Sequence, residues 1–108
     1  MDIARISKRL EALGNPTRLS AYRLLVRAGE AGLAVGDLQD RLAIPASTLS
    51  HHLHRLIAVG LVDQERRSTT LICRANYSVM QDTLGFLVDE CCADACGTET
   101  PRAAAEVR

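Results

Sequence analysis

A three-residue break, Ala43-Ile44-Pro45, separates two stretches with helical apolar periodicity. Before it, Val35, Leu38 and Leu42 mark a short helix. After it, Leu49, Leu53, Leu56 and Ile57 recur at i, i+4, i+7 and i+8, the inward stripe of a second helix that Gly60 closes. The next segment is not helical: "LVDQERR" and "TTLICRA" are runs rich in apolar and β-branched residues, with Arg66, Arg67 and Ser68 near the tip of the hairpin they predict. Two short helices joined by a tight turn and succeeded by a hairpin describe a winged helix-turn-helix.

The flanking segments complete this plan. Ile3, Ile6, Leu10 and Leu13 form an amphipathic helix stopped by Gly14. "NPTRL" then opens another helix, with Asn15 as N-cap and Pro16 at a position where a missing N–H costs nothing. Leu19, Tyr22, Leu25 and Val26 are its expected buried face, and "AGEAGL" ends it. Beyond the hairpin, Ser78 and Gln81 fit a capping box for a closing helix with the stripe Met80, Leu84, Leu87, Val88 and Cys91. The expected fold is mainly α with a β-hairpin wing. Residues 1–96 form the domain, and 97–108 a flexible tail.

At 108 residues and 47% hydrophobic, the chain suits one domain. No apolar run approaches the ~20 residues of a membrane span, and Met-Asp-Ile-Ala-Arg begins nothing like a signal peptide. A soluble, cytoplasmic protein with no membrane partner is expected. Net charge is zero, but it is segregated. Residues 1–29 carry six basic side chains against two acidic and residues 47–74 four against two, whereas residues 77–108 carry two against six. Such a chain can present a positive face to DNA despite its neutrality.

At about 100° per residue, the face opposite the Leu49 stripe holds Ser47, Thr48, His51, His54, Arg55 and Ala58, with Ser50 and His52 on its flanks. Short donors near the helix start and longer ones behind suit entry into a major groove by the N-terminal end. Ser47, Thr48, Ser50, His51, His54 and Arg55 are therefore candidate DNA contacts. Arg66 and Arg67 are placed to reach phosphate or the minor groove. His52, beside the core, reads as a packed, hydrogen-bonded histidine. A metal site on His51 and His54 lacks a further ligand on that face. No nucleophile–base pair, phosphate loop or paired-carboxylate site points to an enzyme.

"LGNPTRLSAYRLL", "STLSHHLHRLIAVGLV" and "RRSTTLICRA" together resemble the ArsR/SmtB family of metal- and metalloid-responsive repressors, over roughly residues 5–96. The resemblance implies a homodimeric winged-helix repressor of operator DNA, joined through its first and last helices. Two of the family's sensing sites are missing. "GLAVGDL" has Ala34 and Gly36 where a Cys-x-Cys pair would stand on the third helix, and residues 77–96 contain no histidine for a zinc site on the last. The wing has Ser68 near the place of the family's usual glycine.

"ECCADAC" remains, with Cys91, Cys92 and Cys96 within six positions. In a reducing compartment such clusters are more often metal-binding or redox-active than structural. A similar terminal cluster occurs in some arsenic-responsive members of the family. Thiolates select soft ions, and arsenite or antimonite favours three sulfurs in a pyramid, so Cys91, Cys92 and Cys96 are the expected ligands of an As(III) or Sb(III) inducer. One unbroken helix cannot aim all three sulfurs at one atom: the final turn must unwind, or the helix must already end near Cys92. Thiol redox or persulfide sensing on the same scaffold is the alternative, and a non-DNA metal carrier or interaction module a more distant one. Cys73, in a strand, reads as buried packing.

Overall fold

The computed structural model describes residues 2–95. Five helices and a small sheet succeed one another in chain order: α1 (Ile3–Leu13), α2 (Pro16–Ala28), a single 3-10 turn (Gly29–Ala31), β1 (Leu33–Ala34), α3 (Val35–Leu42), α4 (Ala46–Ala58), β2 (Val62–Arg67), β3 (Thr70–Ala75) and α5 (Tyr77–Val88). The expected winged helix-turn-helix is present, mainly helical with an antiparallel three-stranded sheet in the order β1-β3-β2.

Local chemistry sets these boundaries. Asn15 Oδ1 accepts from the amides of Thr17 and Arg18 at 2.9 and 3.0 Å, with Pro16 in the first turn of α2. Between α3 and α4, Ala43 takes a left-handed conformation (φ 55°, ψ 47°) and its amide closes on Gln39 O, so three residues suffice for the turn. The hairpin turns through Ser68 and Thr69. Ser68 adopts φ 59°, at a position where two-residue loops favour glycine, so the wing's tight turn forms on a serine.

The core is one cluster, built from Tyr22 and Leu25 of α2, Leu38 of α3, Leu49, Leu53 and Leu56 of α4, Leu61, and Val62, Cys73 and Ala75 of the hairpin. Burying each such leucine is worth roughly 1.5–3 kcal/mol, which fixes α4 against the sheet and turns its other face outward. Strand β1 was not expected. It pairs Leu33 with Cys73 and Ala34 with Ile72. Gly32 permits this approach: with φ +69°, it brings its Cα to where a Cβ would overlap Cys73 O and lie 2.8 Å from Arg74 Cγ.

Three expectations are corrected. Leu19 is not on the buried face of α2; it is 52% exposed, while Arg18 and Ala21 share that face with Tyr22 and Leu25. Helix α5 is capped by Asn76, whose side chain accepts from Val79 N at 3.2 Å, which places Ser78 inside the first turn rather than at a capping box. Cys91 is not part of the α5 stripe, because the α-helix ends at Val88. From there Glu90, Cys91, Ala93 and Ala95 amides bond three residues back, in tight turns with Cys92 at φ 61°. Cys96 and the expected tail at 97–108 lie outside the described residues.

Candidate nucleic-acid interface and thiol site

Helix α4 begins after Pro45, which offers no side-chain cap and leaves the first-turn amides free toward solvent. Ser47, Thr48, Ser50, His51 and His54 are exposed and Arg55 is half-buried. Ser50 and His54 turn toward the wing and line a cavity of about 150 Å³ with Val35, Gln64 and Leu71. The first-turn hydroxyls and the imidazoles of His51 and His54 thus form one donor-rich surface, with partial positive charge at the helix start.

His52 stands apart. Its Nδ1 lies 3.4 Å from an Arg18 guanidinium nitrogen. Desolvation, and then the charges of Arg18, His51 and Arg55, hold its pKa below the ordinary value. A neutral ring accepting from Arg18 fits both observations. Arg18 is itself buried and donates from Nε to Ala12 O at 2.6 Å, satisfying one of the unpaired carbonyls at the end of α1. It ties α1, α2 and α4 together, a role invisible in the sequence, where it reads as one more arginine after a cap.

On the wing, strand alternation puts Arg66 and Arg67 on opposite faces. Arg66 lines a shallow depression with Asp37, Thr69 and Thr70, facing the first turn of α3. Arg67 faces away and meets Glu65 at 3.4 Å, while Arg74 holds the other oxygen of that carboxylate at 2.8 Å and donates from Nε to Glu30 O. The hydrogen bond from Arg74, then that from Arg67, holds the Glu65 pKa below its ordinary range. Of the two wing arginines, Arg66 has no carboxylate bond among the described residues.

The thiols separate into two kinds. Cys73 is fully buried, accepts from Gln64 Nε2 at 3.4 Å, and has its pKa pushed up by burial. Cys91 and Cys92 are exposed, with sulfurs 3.7 Å apart. The hydrogen bond that holds the Cys91 proton against the Cys92 sulfur, and then the charge of a Cys92 thiolate, raise the Cys91 pKa. Among the described residues no group of three His, Cys, Asp or Glu side chains is gathered to hold a metal. The two sulfurs are a pair.

A helix-turn-helix domain model matches residues 13–65. The NolR structure from Sinorhizobium fredii is 31% identical, with a TM-score of 0.65 over 81% of this chain and 84% of that one. An ArsR-like transcriptional regulator from Rhodococcus sp. RHA1 has 25% identity and a TM-score of 0.74, over 95% of this chain and 90% of its own. The chain belongs to the ArsR/SmtB family of transcriptional regulators. Among curated relatives, nodulation protein NolR of Rhizobium meliloti is 34% identical over 80 residues, 74% of this chain; the chain spans only 63% of that relative's length. ArsR/SmtB proteins are DNA-binding regulators and not enzymes, in keeping with the donor-rich face of α4. No helix among the described residues is long and apolar enough to cross a membrane.

Proposed function

We propose that the protein is a homodimeric repressor that leaves its operator when trivalent arsenic or antimony is bound by Cys91, Cys92 and Cys96. DNA is read by Ser47, Thr48, Ser50, His51, His54 and Arg55 of α4, with Arg66 and Arg67 of the wing on the backbone. Such a repressor works in the cytoplasm.

The observation that carries the inducer is the 3.7 Å between the Cys91 and Cys92 sulfurs, placed where α5 has already given way to turns. Two soft donors are side by side, and Cys96 comes four residues later in the sequence to supply the third. Dimerisation rests on apolar surface left bare on two touching helices. Ile3 and Leu10 of α1, and Leu84, Leu87 and Val88 of α5, are between 38 and 69% exposed. Large apolar side chains in such a patch mark an association surface, and a two-fold dimer brings two α4 helices to two half-sites.

The thiol pair comes directly after the α5 half of that surface, so capture of an ion there pulls on the dimer contact. Shifting a two-state dimer decisively takes about 5 kcal/mol of differential binding. Multi-thiolate coordination reaches roughly 10–16 kcal/mol in structural zinc sites, so the energy suffices. The test is titration of protein bound to upstream promoter DNA with arsenite under anaerobic reductant. Release by arsenite, lost in Cys91→Ser and in Cys96→Ser, is expected; release of both variants at wild-type concentrations would sink the reading.

The same proximity favours one second reading. Peroxide accepting two electrons and two protons would join the Cys91 and Cys92 sulfurs, giving a redox-sensing repressor. A peroxide arm in the same titration distinguishes the two.

A further inference from the structure

Beside the end of α4, helix α1 presents a basic flank. Arg5, Lys8 and Arg9 line a groove of about 340 Å³ with Ile57, Ala58, Val59 and Gly60 at the end of α4. No acidic side chain lines it. Arg9 is committed within the fold, donating from Nε to Val59 O at 3.3 Å. Arg5 and Lys8 are exposed and enter no salt bridge among the described residues.

The last turn of a helix ordinarily repels anions, because its free carbonyls carry the negative end of the dipole. Here the Arg9 guanidinium covers one of those carbonyls. With two further cations beside it, the end of α4 becomes a cationic groove. It is also continuous with the donor face: Ser47, His51 and Ala58 lie on the same outward line of α4, and Ala58 is part of the groove wall. Ser47 and Ala58 are eleven residues apart, about 16 Å along the axis. That exceeds the ~12 Å width of a major groove. A duplex whose groove α4 crosses, with the start of the helix at the base edges, would bring one backbone to the other end of the helix.

We propose that Arg5 and Lys8 form a second DNA contact, gripping operator phosphates beyond the helix-turn-helix and wing. This rests on the reading of α4 as the DNA-binding helix. It adds two phosphate contacts per protomer, four per dimer, that carry no sequence information. They would add affinity and salt dependence equally on operator and unrelated DNA.

The experiment measures the affinity of the full chain by fluorescence anisotropy on a promoter duplex and on a scrambled one, across a salt series. The proteins are wild type, the double variant Arg5→Gln with Lys8→Gln, and the charge-preserving double variant Arg5→Lys with Lys8→Arg. Four lost contacts at ~0.9 each predict that the slope of log K against log salt falls by about 3.6 in the glutamine variant. The ratio of promoter to scrambled affinity should stay constant, and the charge-preserving variant should keep the wild-type slope. An unchanged slope, or a slope lost equally in the charge-preserving variant, overturns the phosphate grip. A fall in the affinity ratio overturns it too, since that would mark a sequence-reading contact. Sedimentation of each variant checks that the dimer is intact, and a lower slope explained by dissociation counts against the proposal. Should wild type bind neither duplex, the α4 reading falls and this proposal with it.

Discussion

Replacing Arg18 with Met tests whether one buried cation orients α4. The side chains are similar in length, so little volume is lost. Arg18→Met removes the 2.6 Å hydrogen bond to Ala12 O and the 3.4 Å approach to His52. A hydrogen bond from a charged group contributes about 1.5–3 kcal/mol net, and the abandoned carbonyl adds its own desolvation cost. Against this, a guanidinium with 8% exposure no longer has to be taken out of water. The His52 contact is long and adds little. The terms leave a net loss of roughly 1–3 kcal/mol.

Urea denaturation at one fixed protein concentration, to hold any dimer linkage constant, reads this as a lower midpoint with unchanged slope. In the same variant His52 should titrate at higher pH, because one of the charges that depresses its pKa is gone; desolvation, the larger cause, remains. A stability loss under about 0.5 kcal/mol, the range of ordinary surface substitutions, together with an unmoved His52 titration, would refute the idea that Arg18 holds α1, α2 and α4 in register.

Asn15→Ala removes the acceptor for two α2 amides and should cost about 1 kcal/mol, seen as a lower urea midpoint. Gly32→Ala should cost more than about 2 kcal/mol, since the new Cβ meets Cys73 O at a positive φ; an unchanged midpoint would mean that β1 is not held as described. Acidification should weaken the fold through His52. Its folded pKa lies below the ordinary 6.5, so the unfolded chain binds more protons, and stability is full above 6.5 and lost as pH falls through the folded value. His52→Gln should flatten that part of the pH–stability curve. Leu87→Glu, placing charge in the bare α5 stripe, should convert the dimer to monomer in sedimentation and weaken promoter binding.

Where local signals were strong, the sequence was legible. The stripe on α4, the Asn15-Pro16 start of α2 and the alternation of the hairpin each have one sterically reasonable outcome, and each element formed at or within a residue or two of its expected bounds. Weaker signals lost to tertiary context. A two-residue strand has no periodicity to detect, and β1 exists because Gly32 lets the chain approach β3. Leu19 looked like core by spacing alone, but Arg18 displaced it once Ala12 O and His52 gave the cation partners. At α5, Asn76 took the cap from Ser78, since its own amide was already fixed to Leu61 O in the turn before the helix.

The candidate site divides along the same line. Exposure of Ser47, Thr48, Ser50, His51 and His54 came from helical geometry, because the opposite stripe had to be buried. The separation of Arg66 from Arg67 needed the register, which gives Glu65 two arginine partners on one face and leaves Arg66 on the other. For the thiols, periodicity counted Cys91 into the α5 stripe, yet that stripe buries little within the protomer. Thr83 is the one buried side chain of α5, while Leu84, Leu87 and Val88 face outward. With so little burial holding its last residues, α5 stops at Val88, and the chain turns so that two sulfurs meet. The bare apolar stripe and the early end of α5 thus have one cause. Helix α5 is held to its protomer near its start, where Tyr77, Val79 and Met80 pack on the core and Thr83 is buried, and it is bare at its end, where the exposed sulfurs follow.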